Sequence, residues 1–144
     1  MSMVDNLIFL TGLSDVAMAV LMTFAPTLLY ESSFSHWINR TTGYIIAKPH
    51  EEPVFSHGLA SVVAVIGIGH IVASRAGAGA RVTIFAMNAA AALLTVISLA
   101  LHREDGVACT MTFTMGVVET ILTCALYYLG AAQGASTVVK KKEN

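Results

Sequence analysis

The sequence predicts an all-α membrane protein: four transmembrane helices in an antiparallel bundle with both termini cytosolic. Three observations carry that prediction. Of 144 residues, 56% are hydrophobic, only 12% are charged, and the apolar residues fall in four long blocks. Soluble domains hold about 45–50% apolar and about 25% charged residues, so half the usual charge is absent. The mean hydropathy is +0.72 and the formal net charge −1. Such a composition excludes an ordinary soluble enzyme, a disordered regulator and a nucleic-acid-binding module, whose phosphate contacts need a basic surface.

A helix needs about 20 residues to cross the roughly 30 Å hydrocarbon core. The first block, Leu7 to Tyr30, is longer than a signal-peptide core, contains Asp15 and has no Lys or Arg before it, so it reads as a permanent span. The Glu31 to Glu52 segment reads as the one real loop, with Trp37 and Tyr44 as interfacial anchors and no ligand spacing for a metal around His50. The second span is expected over Pro53 to Ser74, the third over Val82 to Leu101 and the fourth over Val107 to Leu129. The connections Arg75 to Arg81 and His102 to Gly106 are short enough to make neighbouring spans antiparallel.

Orientation follows from the positive charges near the spans. Arg75 and Arg81 flank the second connection and Lys140, Lys141 and Lys142 end the chain. Arg40, Lys48 and Arg103 instead stand among Glu31, Glu51, Glu52, Glu104 and Asp105. The termini and the second connection are therefore expected in the cytosol, with residues 130–144 as a cytosolic tail. Lys141-Lys142-Glu143-Asn144 places lysines third and fourth from the end, the arrangement of the dilysine retrieval signal of endoplasmic reticulum membrane proteins, so the expected location is that membrane. Asn39-Arg40-Thr41 is an N-glycosylation sequon on the predicted lumenal side. Cys109 and Cys124 lie about 22 Å apart on one helix, which rules out a disulfide between them.

Ionisable groups at the centre of a span cost about 2.5–3.5 kcal/mol and normally face the bundle interior. From the cytosolic end of its span, Asp15 lies about 12 Å in, Glu119 about 15 Å, Asn88 about 9 Å and His70 about 6 Å. One such group from every span thus falls in the cytosolic half of the bilayer. Thr112, Gly116, Glu119, Thr120 and Thr123 form a polar and small stripe on the fourth span, and Thr11, Ser14 and Asp15 begin one on the first. Two carboxyls in one apolar pocket share a proton, one acid beside one carboxylate, and such a pair can donate a proton and take one back. Asp15 and Glu119 are therefore the expected catalytic groups. Asn88 would fix a carbonyl or hydroxyl of the substrate and His70 would relay protons. His57, a further candidate for substrate contact, points about 140° away from His70 around the helix and has an interfacial role as its alternative.

This layout, with Asp15, Glu119 and the Lys141-Lys142-Glu143-Asn144 tail, resembles the small integral-membrane enzymes of fungal-type terpenoid and polyketide biosynthesis. It is also similar in plan to the four-helix sterol isomerase-like proteins of the endoplasmic reticulum, and has fewer spans than the membrane-bound terpene cyclases. The resemblance implies an enzyme of secondary metabolism. The residues themselves lead to cofactor-independent acid/base chemistry on a lipophilic small molecule in the membrane: cyclisation, double-bond isomerisation or epoxide hydrolysis. No nucleotide, flavin, haem or metal motif is present, and the expected partners are that substrate and membrane lipid. The alternative is a non-enzymatic membrane scaffold that gathers pathway enzymes or a small proton-coupled exporter, and Gly58, Ala60, Gly67 and Gly69 suit homodimer contacts as well as a substrate pocket.

Overall fold

The structure, a computed structural model, describes residues 2–51, 53–101 and 108–131. Its elements in chain order are α1 (Met3–Phe24), α2 (Pro26–Tyr30), α3 (Ser33–Thr42), α4 (Pro53–Ala73), α5 (Ala78–Leu101) and α6 (Thr110–Tyr128). Among the described residues there is no strand beyond one isolated bridge between Ile45 and Cys109. Four helices are long and apolar enough to cross a membrane: α1, α4 through Ser56–Ala73, α5 and α6. The chain is therefore a multi-pass membrane protein. The connection 102–107, Glu52 and the tail with Lys141 and Lys142 lie outside the described residues.

Helix boundaries differ from the expected spans for local reasons. The first helix begins at Met3 because Ser2 caps it reciprocally: the Ser2 hydroxyl accepts from the Asp5 N–H at 3.2 Å, and the Asp5 carboxylate accepts from the Ser2 N–H at 2.9 Å. It stops at Phe24 rather than continuing to Tyr30. Pro26 drives the residue before it out of helical backbone, and Ala25 sits at φ −144°, ψ 55°. Pro26 then opens the short α2 as its first residue.

The segment read as a loop contains a ten-residue helix, α3. Ser32 caps its start by accepting from the Ser35 N–H at 3.1 Å, and Gly43 at φ 77° ends it, its N–H donating to the Asn39 carbonyl at 2.8 Å. Trp37 is exposed on α3 and stacks on Phe34 at 5.8 Å between ring centroids. Tyr44, expected as an interfacial anchor, packs on Phe113 of α6 at 5.6 Å. Beside it the Ile45 carbonyl accepts from the Thr110 N–H at 2.8 Å, which ties this segment to the start of α6.

The long helices pack as two close pairs, α1 with α4 and α5 with α6. Each close approach is made by glycine. A Cβ on Gly12 would lie 2.5 Å from the Gly67 carbonyl oxygen, and one on Gly67 would lie 2.8 Å from the Gly12 carbonyl oxygen. On the other pair, a Cβ on Gly116 would meet the Thr95 methyl at 2.7 Å. Small residues at helix crossings are how membrane helices gain contact when lipid offers no hydrophobic drive. Gly58 and Gly69 differ, since a Cβ on either meets nothing within 4 Å. Gly67→Val should thus lower stability by about 1–3 kcal/mol, as overpacking does, while Gly69→Ala leaves it unchanged. Thermal unfolding of both variants in detergent checks this pair of outcomes.

Two apolar clusters cap the interior. Val4, Ile8, Ile84, Leu122 and Leu126 form one, and Met22, Tyr30 and Ala60, with Met18 and Val63 against them, form the other. The Asp5 carboxylate joins α1 to α5 at the first cluster's end, receiving Arg81 Nε at 2.8 Å and Nη2 at 3.0 Å. At the same end the Arg75 guanidinium lies 5.8 Å from the centre of the Phe9 ring. Between the two clusters lies a polar layer.

Candidate functional site

The Gly12–Gly67 crossing sets that layer. With the two backbones touching, Gly12 lies against His70 and Gly67 against Asp15, and Asp15 Oδ2 reaches across to stand 2.8 Å from His70 Nδ1. The His70 side chain is 3% exposed and that of Asp15 20%. On the other side of the ring, Asn88 Nδ2 of α5 lies 3.3 Å from His70 Nε2 and donates to the Ile84 carbonyl at 2.8 Å.

These contacts settle the proton positions. A carbonyl oxygen only accepts, so the Asn88 atom facing Ile84 is the amide nitrogen, and the same NH2 group faces His70 Nε2. Nε2 is therefore an acceptor, and the ring proton sits on Nδ1 and is donated to the Asp15 carboxylate. The ring is held in one orientation between a carboxylate and an amide. Its Nε2 lone pair is engaged only by a long hydrogen bond, so a better donor can take it.

Glu119 of α6 lies near this group without a hydrogen bond to it among the described residues. It interacts electrostatically with both Asp15 and His70, yet its Oε2 atom is buried without a hydrogen-bond partner among the described residues. The Thr123 hydroxyl, one turn further along α6, is likewise buried and unpaired among them. A buried polar atom left without a partner costs about 1–3 kcal/mol, so native structures keep few of them without a use. Two other stripe hydroxyls are spent locally: Thr120 donates to the Gly116 carbonyl at 2.7 Å and Thr11 to the Leu7 carbonyl at 3.0 Å.

No protein-family model, curated protein or solved structure matches the chain.

Asp15, His70 and Asn88, from α1, α4 and α5, meet in one hydrogen-bonded group, and Glu119 of α6 lies in electrostatic range of Asp15 and His70. His57 does not join them: it is exposed on the fifth residue of α4, and its carbonyl accepts from Ser61 at 2.9 Å. Asn39 is half-buried on α3, and its Nδ2, the atom a glycan would modify, donates to the Tyr44 carbonyl at 2.7 Å. Glu51 pairs with Lys48 at 2.9 Å and His50 is exposed. Among the described residues, no three His, Cys, Asp or Glu side chains gather as they would around a metal ion.

Sequence reasoning missed a cavity of about 700 Å³ adjoining the layer. Met18, Met22, Leu59, Val63 and Met115 give it apolar walls, while Tyr30, Ser56, Cys109 and Thr112 add polar atoms. Its floor is one helical turn from the acids: Met18 follows Asp15 by three residues and Met115 precedes Glu119 by four. The signal was present as two methionine pairs at i, i+4, Met18 with Met22 and Met111 with Met115.

Proposed function

We propose that the chain is a membrane enzyme performing cofactor-independent acid/base chemistry on a lipophilic small molecule: cyclisation, isomerisation or epoxide hydrolysis in a biosynthetic pathway. The observation that carries this reading is the Asp15–His70 pair, 2.8 Å apart with the His70 side chain buried, in electrostatic range of Glu119, whose Oε2 no described residue satisfies. In this reading His70 Nε2 accepts a proton from the substrate, Asp15 holds the ring and stabilises the imidazolium that forms, and Glu119 supplies a proton at the opposite end of the shifting bonds. Asn88 releases Nε2 and turns its amide to the substrate oxygen. The roles differ from the sequence expectation in one respect: His70 becomes the base and Asp15 its orienting partner.

The reading has the four long helices antiparallel in the endoplasmic reticulum membrane with both termini cytosolic. The start of α1 beside the end of α4 and the Asp5–Arg81 pair at the α5 start support it, as do Arg75, Arg81 and the terminal lysines. Asn39 as a glycan acceptor and Lys141 and Lys142 as a retrieval address belong to the same proposal.

A second reading, a small proton-coupled exporter, is favoured by one observation. The polar layer lies behind the cavity floor rather than in its lining, as a proton relay would. The two separate in a simple assay. Detergent-solubilised protein alone, given the lipophilic extract of cells lacking the gene, is expected to convert one component into a product of altered mass or retention. An exporter or scaffold would leave the extract unchanged.

A further inference from the structure

Four of the chain's seven methionines, Met18, Met22, Met111 and Met115, line the cavity beside the polar layer. They come as one pair on α1 and one on α6, each at the spacing that puts both thioethers on one helix face. Unbranched, polarisable Met side chains adapt to irregular apolar shapes and recur where a surface must fit a flexible hydrocarbon. At about 700 Å³, with mostly apolar walls and a few polar groups, the cavity has the size and make-up of a small-molecule site.

Its polar groups are gathered rather than scattered. Tyr30 and Ser56 are 5% and 7% exposed, and both line the cavity. Their side chains lie within interaction range of each other, with Cys109 in electrostatic range of the phenol. A phenol and a hydroxyl on one wall offer O–H donors and several lone pairs to a third oxygen. Charge at the mouth is already offset, because the Lys48 ammonium and the Glu51 carboxylate that also line it bond to each other at 2.9 Å. Nothing there calls for an ionic ligand.

We propose that this cavity binds a lipophilic molecule bearing a single neutral hydroxyl or carbonyl, with the oxygen at Tyr30 and Ser56 and the hydrocarbon body among the four methionines. The far end of such a ligand reaches within about 5–6 Å, along the helix axes, of the Asp15 and Glu119 levels. The proposal names the substrate class for the acid/base chemistry and rests on that reading only for the steps after binding.

The test is photolabelling of the full chain in phosphatidylcholine nanodiscs with a sixteen-carbon primary alcohol carrying a mid-chain diazirine, mapped by peptide mass spectrometry. Label is expected on the Met18–Met22 and Met111–Met115 peptides, competed by hexadecanol about tenfold better than by hexadecyl phosphate, whose charge must be desolvated. Tyr30→Phe should weaken labelling about fivefold, as for the loss of one hydrogen bond. Ala47→Phe on the loop and Leu59→Trp on α4, both filling the cavity, should abolish it. A second readout uses the free thiols: in a Cys124→Ser background, hexadecanol should slow maleimide modification of Cys109. Label spread evenly over lipid-facing residues, unchanged in Ala47→Phe, would mean annular lipid only and overturn the proposal. Equal competition by the phosphate would overturn its neutral-ligand part. Labelling without any turnover by the wild type sinks the acid/base reading and leaves this one standing, and turnover without labelling does the reverse.

Discussion

His70→Gln is expected to abolish turnover and leave the fold intact. Glutamine keeps an NH2 group that can donate to the Asp15 carboxylate, so the α1–α4 contact and the buried charge retain a partner. It has no titratable nitrogen. A general base contributes about 10²–10⁴ in rate, and turnover should fall by that factor with no change in membrane insertion or expression. His70→Leu would fail differently, because removing the partner of a buried charge costs about 3–5 kcal/mol and unfolds a marginal bundle. The contrast between the two variants, followed by substrate consumption and by thermal unfolding, separates a chemical role from a structural one. A Gln variant that works like the wild type would leave His70 as packing.

The second large effect is at Glu119, where activity and stability should move in opposite directions. Its Oε2 atom is buried and unpartnered among the described residues, so replacing the carboxyl by an apolar group of similar length removes a desolvation penalty of about 1–3 kcal/mol. Glu119→Met is therefore expected to raise the melting temperature in detergent and to eliminate turnover. Glu119→Gln should lose turnover too, because an amide cannot deliver a proton. A residue kept only to hold helices together would behave in the reverse way, with a stability loss and activity following it down. The outcome that would count against the account is a Met variant that is both less stable and still active.

The spans are legible in the sequence because hydrocarbon imposes one length and one composition, and the polar layer because an ionisable group in a span stands out against that background. Counting residues from the span ends puts Asp15, Asn88 and Glu119 within a few ångströms of one depth. Rotation about the helix axes is not legible from depth alone. It is fixed by the Gly12–Gly67 contact, in which each glycine is one small residue among many until its partner is known. The helix α3 escapes a reading by apolar blocks because its apolar content is low, although Ser32 and Gly43 mark both its ends. The break at Ala25 is written in Pro26. The cavity depends on where α2 and the 43–51 segment fold back over the helices, a tertiary event that no local pattern encodes.

The most direct measurement is metabolite profiling of cells lacking the gene, complemented in turn by the wild type, Asp15→Asn, His70→Gln and Glu119→Gln, each checked for membrane insertion. The account predicts that one lipophilic precursor bearing a neutral oxygen accumulates on deletion, that the wild type consumes it, and that all three inserted variants leave it in place. Consumption by the three variants at the wild-type rate would contradict it, and the buried polar layer would then be a means of packing four helices.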